Sequence, residues 1–126
     1  MENLIIEKTD KTPYVFIDCD TGKVSIEGIC IPENPHGFFE PIRKKIDCLK
    51  KTNSQIIFDI YLEYFNTGAS KALLDLFMSV ADAQKEQVTS KVIWKIEDEN
   101  DEEARESGEI LEEISKIPFE YKVIDA

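Results

Sequence analysis

Apolar and polar residues alternate along several stretches of the chain and recur at helical spacing in others. The longest alternation runs from Gln55 to Phe65. Ile56, Phe58, Ile60, Leu62 and Tyr64 fall on one face of this predicted strand, and Ile57, Asp59, Tyr61, Glu63 and Phe65 on the other. Lys23 to Gly28 sets Val24 and Ile26 against Lys23, Ser25 and Glu27, and Val88 to Glu97 sets Val92, Trp94 and Ile96 against Ile93, Lys95 and Glu97. Leu4-Ile5-Ile6, Tyr14 to Asp18 and Phe119 to Ile124 read as further strands. Asp20-Thr21-Gly22-Lys23 is a turn with Gly where positive φ is tolerated, so the second and third strands form a hairpin.

The helices follow the other period. Pro32-Glu33-Asn34-Pro35-His36-Gly37 reads as a loop, after which Phe38, Ile42, Ile46 and Leu49 share one helical face, with Pro41 in the first turn. Thr52-Asn53-Ser54 closes that helix. A second runs from about Gly68 to Lys85 with Leu73, Leu76, Phe77 and Val80 inward. The acidic stretch Asp98 to Glu106 enters a third, with Ala104, Leu111 and Ile114 inward.

The order is therefore β-β-β-α-β-α-β-α-β. Each strand joins an apolar face to a face carrying charge: Lys23 and Glu27, Asp59 and Glu63, Lys95 and Glu97, Glu120 and Lys122. A fully wrapped parallel sheet would read as continuous apolar runs. The pattern predicts a two-layer α/β (α+β) domain, a mixed sheet with helices mainly on one face. Right-handed crossovers make the last three strands parallel, and the hairpin adds antiparallel ones.

Length and charge narrow the function. A chain of 126 residues is about one domain. Asp plus Glu number 26 against 15 Lys plus Arg, a formal charge of −11. That balance argues against nucleic acid and against an anionic membrane surface. The acidic start, Met1 to Glu7, has no basic segment followed by an apolar run, and no stretch approaches the length that spans a bilayer. Cys19, Cys30 and Cys48 are odd in number and form no C-x-x-C pair, which predicts reduced thiols and a cytoplasmic protein.

Conventional catalysis finds little to work with. His36 is the single histidine, set among Pro and Gly without a recognisable partner. One His and scattered Cys lack zinc spacing, and the run Glu97 to Glu103 lacks an EF-hand pattern, so no metal is expected. There is no glycine-rich phosphate loop, and no cofactor is expected.

The informative segment is Leu62-Glu63-Tyr64-Phe65-Asn66-Thr67-Gly68-Ala69-Ser70-Lys71-Ala72-Leu73-Leu74-Asp75, which passes from a core strand straight into an amphipathic helix. Asn66 or Thr67 caps the helix by accepting a bond from a free N–H. A hydroxyl at this exposed turn also sits where a phosphate would meet free amides and the positive end of the helix. Phosphorylation there adds about 1.5 to 2 negative charges, a change suited to switching partner binding.

These residues, together with Met1 to Glu7, Thr12-Pro13, Pro32-Glu33-Asn34 and Phe38-Phe39-Glu40-Pro41, resemble the SiaC-type regulatory phosphoproteins of bacteria over nearly the whole chain. The Tyr-Phe-Asn-Thr-x-x-Ser-Lys block is the specific part. The resemblance implies a single SiaC-type regulatory domain over 1–126, with a fold like the STAS domains of anti-sigma factor antagonists. It implies a protein kinase that phosphorylates the threonine after Asn, which is Thr67 here, and a PP2C-type phosphatase that reverses it. It further implies an unphosphorylated form that binds and activates a diguanylate cyclase. Gly68 and Ala69 replace two serines common in the family, leaving Thr67 and Ser70 as hydroxyls.

The expectation is a non-enzymatic phospho-switch with Thr67 as acceptor. Asn66, Ser70 and Lys71 shape the helix N-terminus and contact the partners. The rival readings are an anti-sigma factor antagonist that binds a kinase-like anti-sigma factor, a small carboxylate enzyme, and a constitutive scaffold in which Thr67 is only a cap.

Overall fold

The computed structural model describes residues 2–83 and 87–124. Among them the elements run β1 (Leu4–Ile6), β2 (Tyr14–Asp18), β3 (Lys23–Cys30), α1 (Pro35–Thr52), β4 (Gln55–Phe65), α2 (Thr67–Ala83), β5 (Thr89–Ile96), α3 (Glu102–Ser115) and β6 (Phe119–Val123). The predicted order and class are borne out: a mixed sheet with three helices on its apolar face. The strands lie in sequence order, β1 to β6. β1, β2 and β3 pair antiparallel, whereas β3 to β6 are parallel, so the parallel part begins one strand earlier than expected.

The β2–β3 turn is fixed by Gly22. Its φ is +78°, its N–H donates to the Asp18 carbonyl at 2.9 Å, and its own carbonyl accepts from Ile57 N at 3.0 Å. A Cβ at this position would stand 2.2 Å from the Gln55 carbonyl oxygen, so only Gly fits between the hairpin and the start of β4.

Alternation delivers Val15, Ile17, Val24, Ile26, Ile56, Phe58, Ile60, Val92, Trp94 and Ile96 to one side of the sheet, all buried. They pack against Phe39, Ile42, Ile46 and Leu49 of α1, and Leu73, Leu76, Phe77 and Val80 of α2. Side chains of this size contribute about 1.5–3 kcal/mol each when fully buried. Trp94 meets α3, where its indole N–H donates to the Ala104 carbonyl at 2.9 Å. The opposite face of the sheet is half-buried and charge-paired. Asp59 bridges Lys95 at 2.9 Å and Lys23 at 3.4 Å, and Lys91 lies 3.8 Å from Glu120.

Several details differ from the sequence pattern. Leu62 pairs with Gly28 but Tyr64 with Ile29, so Glu63 is an extra residue in β4 and the register slips there. The slip turns Tyr64 out to 61% exposure and brings Phe65 onto the core face, against the expected alternation.

α1 begins earlier than expected. Asn34 caps it by accepting from Gly37 N at 3.1 Å, and Pro35 is its first residue, where a missing N–H costs nothing. His36 is thus helical rather than in a loop. Pro41 lies beyond the first turn, on the exposed side, and withdraws the donor that the Gly37 carbonyl would otherwise take. Phe39, rather than Phe38, is the buried aromatic. On α3, Ile114 is 48% exposed; Gly108, Leu111 and Ser115 face inward instead. The expected end of the second helix at Lys85 lies outside the described residues.

Candidate functional site

The site is built where β4 ends. Phe65 anchors the strand by packing edge-on against Trp94, ring centroids 6.0 Å apart. The next residue, Asn66, caps α2. Its side-chain oxygen accepts from Ala69 N at 2.9 Å and its carbonyl accepts from Ser70 N at 3.0 Å. Of the two capping candidates the geometry selects Asn66. Thr67 is the first helical residue and is exposed. Ser70 is half-buried and Lys71 exposed one turn further on. The residues singled out from sequence are thus gathered in the opening turns of one helix.

The neighbours across from them come from α1. A Cβ on Gly68 would lie 3.0 Å from Pro35 Cγ, so the first turns of α1 and α2 abut. Both helices are capped by Asn, and neither has an acidic residue in its first turn. This is unusual in so acidic a chain. It leaves the positive ends of two helix dipoles side by side.

Between the two helices runs a groove of about 650 Å³, with Phe39, Ala72 and Leu76 among its apolar lining and His36, Glu40, Arg43, Asp47, Lys71 and Asp75 among its polar lining. The Glu40 carboxylate accepts a 2.5 Å hydrogen bond from Arg43 and stands 3.8 Å from His36 and 4.0 Å from Lys44. The Arg43 bond, followed by the surrounding positive charge, holds the Glu40 carboxyl below the usual carboxylate range. Elsewhere along the groove Lys50 bridges Asp47 at 3.0 Å and donates to Ser79 Oγ at 2.8 Å.

From sequence none of the α1 residues of this groove is placed in the site: His36 is weighed as a lone histidine, and Phe39 and Glu40 only carry the family resemblance. Asn34-Pro35, a cap followed by Pro at the first helical position, is the signal that would have found them. The His36 side chain is 84% exposed, with Glu40 its one close ionic neighbour among the described residues. Cys19 and Cys30 are buried and Cys48 exposed, all as free thiols. Among the described residues no cluster of three or more His, Cys, Asp or Glu is placed to hold a metal ion, and no helix is long and apolar enough to cross a membrane.

The fold and the site together define an α/β domain with a one-sided helical layer, whose chemistry-bearing groups lie at an exposed strand-to-helix junction. The chain belongs to the SiaC family of regulatory phosphoproteins, whose model matches residues 6–124. It is 26% identical, over 99% of both chains, to an uncharacterized protein of Pseudomonas aeruginosa strain UCBPP-PA14. The crystal structure of apo-SiaC from Pseudomonas aeruginosa superposes with a TM-score of 0.88 at 23% identity, covering 98% of this chain and 100% of that one. SiaC of the same organism, crystallised as the activator of the diguanylate cyclase SiaD and in complex with it, superposes with a TM-score of 0.87 at 24% identity, covering 96% and 99%.

Proposed function

We propose that this chain is a non-enzymatic phospho-switch. A protein kinase phosphorylates Thr67, a PP2C-type phosphatase reverses the reaction, and the unphosphorylated form binds and regulates an effector. The observation that carries this reading is the division of labour at the junction. Asn66 does the capping, and Thr67 stands exposed beside it. The hydroxyl is available for modification without loss of the cap. Membership of a regulatory phosphoprotein family supports the reading. The SiaC–SiaD complex of Pseudomonas aeruginosa makes a diguanylate cyclase the first effector class to test.

The mechanism is electrostatic. In the unmodified protein the junction and the adjoining groove dock on the partner, with Asn66, Ser70 and Lys71 at the contact. A phosphate introduces about 1.5 to 2 negative charges. Buried at an interface without a partner, such a charge costs several kcal/mol, enough to release the complex.

The test is intact-mass and phosphopeptide mapping of the protein isolated from its own cells, with co-purifying proteins identified from the same sample. Phosphate on Thr67, with an effector bound only to the unmodified fraction, supports the switch. A Thr67→Ala protein that still carries normal phosphate removes Thr67 from this role.

A further inference from the structure

Resting on that reading, we infer that Lys71 is the intramolecular partner of a phosphate on Thr67, so that phosphorylation alters two residues of the docking surface at once. Thr67, Lys71 and Asp75 succeed one another at intervals of four in α2 and therefore form one row along the helix. Such pairs are more favourable with the acid on the N-terminal side of the base. A phosphate on Thr67 is on that side of Lys71. Asp75 is on the other, and no ion pair joins it to Lys71 among the described residues.

The other cations of the groove are engaged. His36 and Arg43 both approach Glu40, at 3.8 and 2.5 Å. Lys71 lines the same groove without an ion pair among the described residues, on a helix with no acid in its first turn. It is an exposed ammonium, and of the two hydroxyls at the junction Thr67 is the exposed one and stands four residues before it, on the same row of the helix. The Asn66 cap uses a different atom from the one modified, so helix α2 keeps its start when phosphate is added.

In the unmodified state Lys71 is free to meet an acidic or carbonyl group of an effector. In the modified state the dianion on Thr67 competes for it. The phosphate therefore acts by drawing a cation away from the effector as well as by adding an anion.

The test uses the full chain carrying phosphothreonine at position 67, installed during synthesis so that no kinase is needed. The second ionisation of the phosphate is followed by ³¹P NMR in the parent and in Lys71→Gln and Lys71→Arg proteins. A neighbouring ammonium favours the dianion. The parent and Lys71→Arg should thus ionise about 0.3 of a pH unit below Lys71→Gln, the size an exposed i,i+4 pair supplies. That difference should shrink in 1 M salt, where the screening length is about 3 Å. Equal ionisation in all three proteins overturns the pairing. Absence of Thr67 phosphate in cells would instead defeat the functional reading and leave the pairing intact.

Discussion

Pro35 and Gly68 meet edge to edge: the first residue of α1 lies where a Cβ on the second residue of α2 would need room, 3.0 Å away. Gly within a helix costs up to about 1 kcal/mol relative to Ala. This contact reduces what a Cβ would gain here. Gly68→Ala should gain less than that amount in the parent, and more when Pro35→Ala has opened the space. A double-mutant cycle by urea denaturation reads the coupling, expected at about 0.5 kcal/mol or more. Equal gains in both backgrounds would show that the contact offers no resistance.

Capping and modification should separate cleanly. Asn66→Ala loses the bond to Ala69 N and should cost about 1 kcal/mol, while Asn66→Asp should be close to neutral. Thr67→Ala should change stability by less than about 0.5 kcal/mol, because the residue is exposed and Asn66, not Thr67, makes the capping bond. Thermal unfolding of the three variants checks this. A larger loss for Thr67→Ala than for Asn66→Ala would make Thr67 the structural cap.

At Gly108 α3 lies close on the sheet. A Cβ there would fall 2.8 Å from the Trp94 ring and 2.9 Å from Tyr121. Gly108→Ala gains about 1 kcal/mol of helix propensity but incurs about 1–3 kcal/mol of overpacking. The expected result is a net loss with a red-shifted Trp94 emission, as the indole leaves its bond to the Ala104 carbonyl. A more stable variant with unchanged emission would contradict the packing described.

Burial pushes the Cys30 thiol from 9.0 up to about 12. Between those values the unfolded chain has released the proton and the native chain holds it. The contribution to stability is therefore whole below about pH 9 and falls as pH rises toward 12. Tyr121, raised by burial and then by its hydrogen bond to Glu112, adds loss in the same direction at the alkaline end. The urea midpoint should decline across this window more steeply in the parent than in Cys30→Ala. At pH 8 a thiol reagent should label Cys48 alone until the protein unfolds.

The sequence shows the strands and the junction because both depend on neighbours along the chain. Val24, Ile26, Phe58 and Ile60 lie on the apolar face as their spacing requires. Asn66 and Thr67 read as a helix start because Asn is a good cap. What depends on distant contacts is not visible in the same way. The extra residue at Glu63 follows from how β4 pairs with β3, so period two misplaces Tyr64 and Phe65. Pro35-His36-Gly37 has loop composition but becomes helix once Asn34 caps it. Ile114 follows the helical period, yet α3 turns on Gly108, and that side of the helix faces outward. Arg43 and Glu40 join the site only because α1 abuts α2, more than twenty residues away in sequence.

The succession of β1 to β6 across the sheet has a last consequence. Open α/β sheets that bind nucleotides reverse their winding partway, and the crevice left between diverging connections is where the ligand lodges. This sheet never reverses. Each new strand is laid on the same side of the last, and the helices close over one face in a continuous row. Such an architecture opens no crevice of that kind. It gathers the starts of its three helices along one rim of the sheet, where they are presented together.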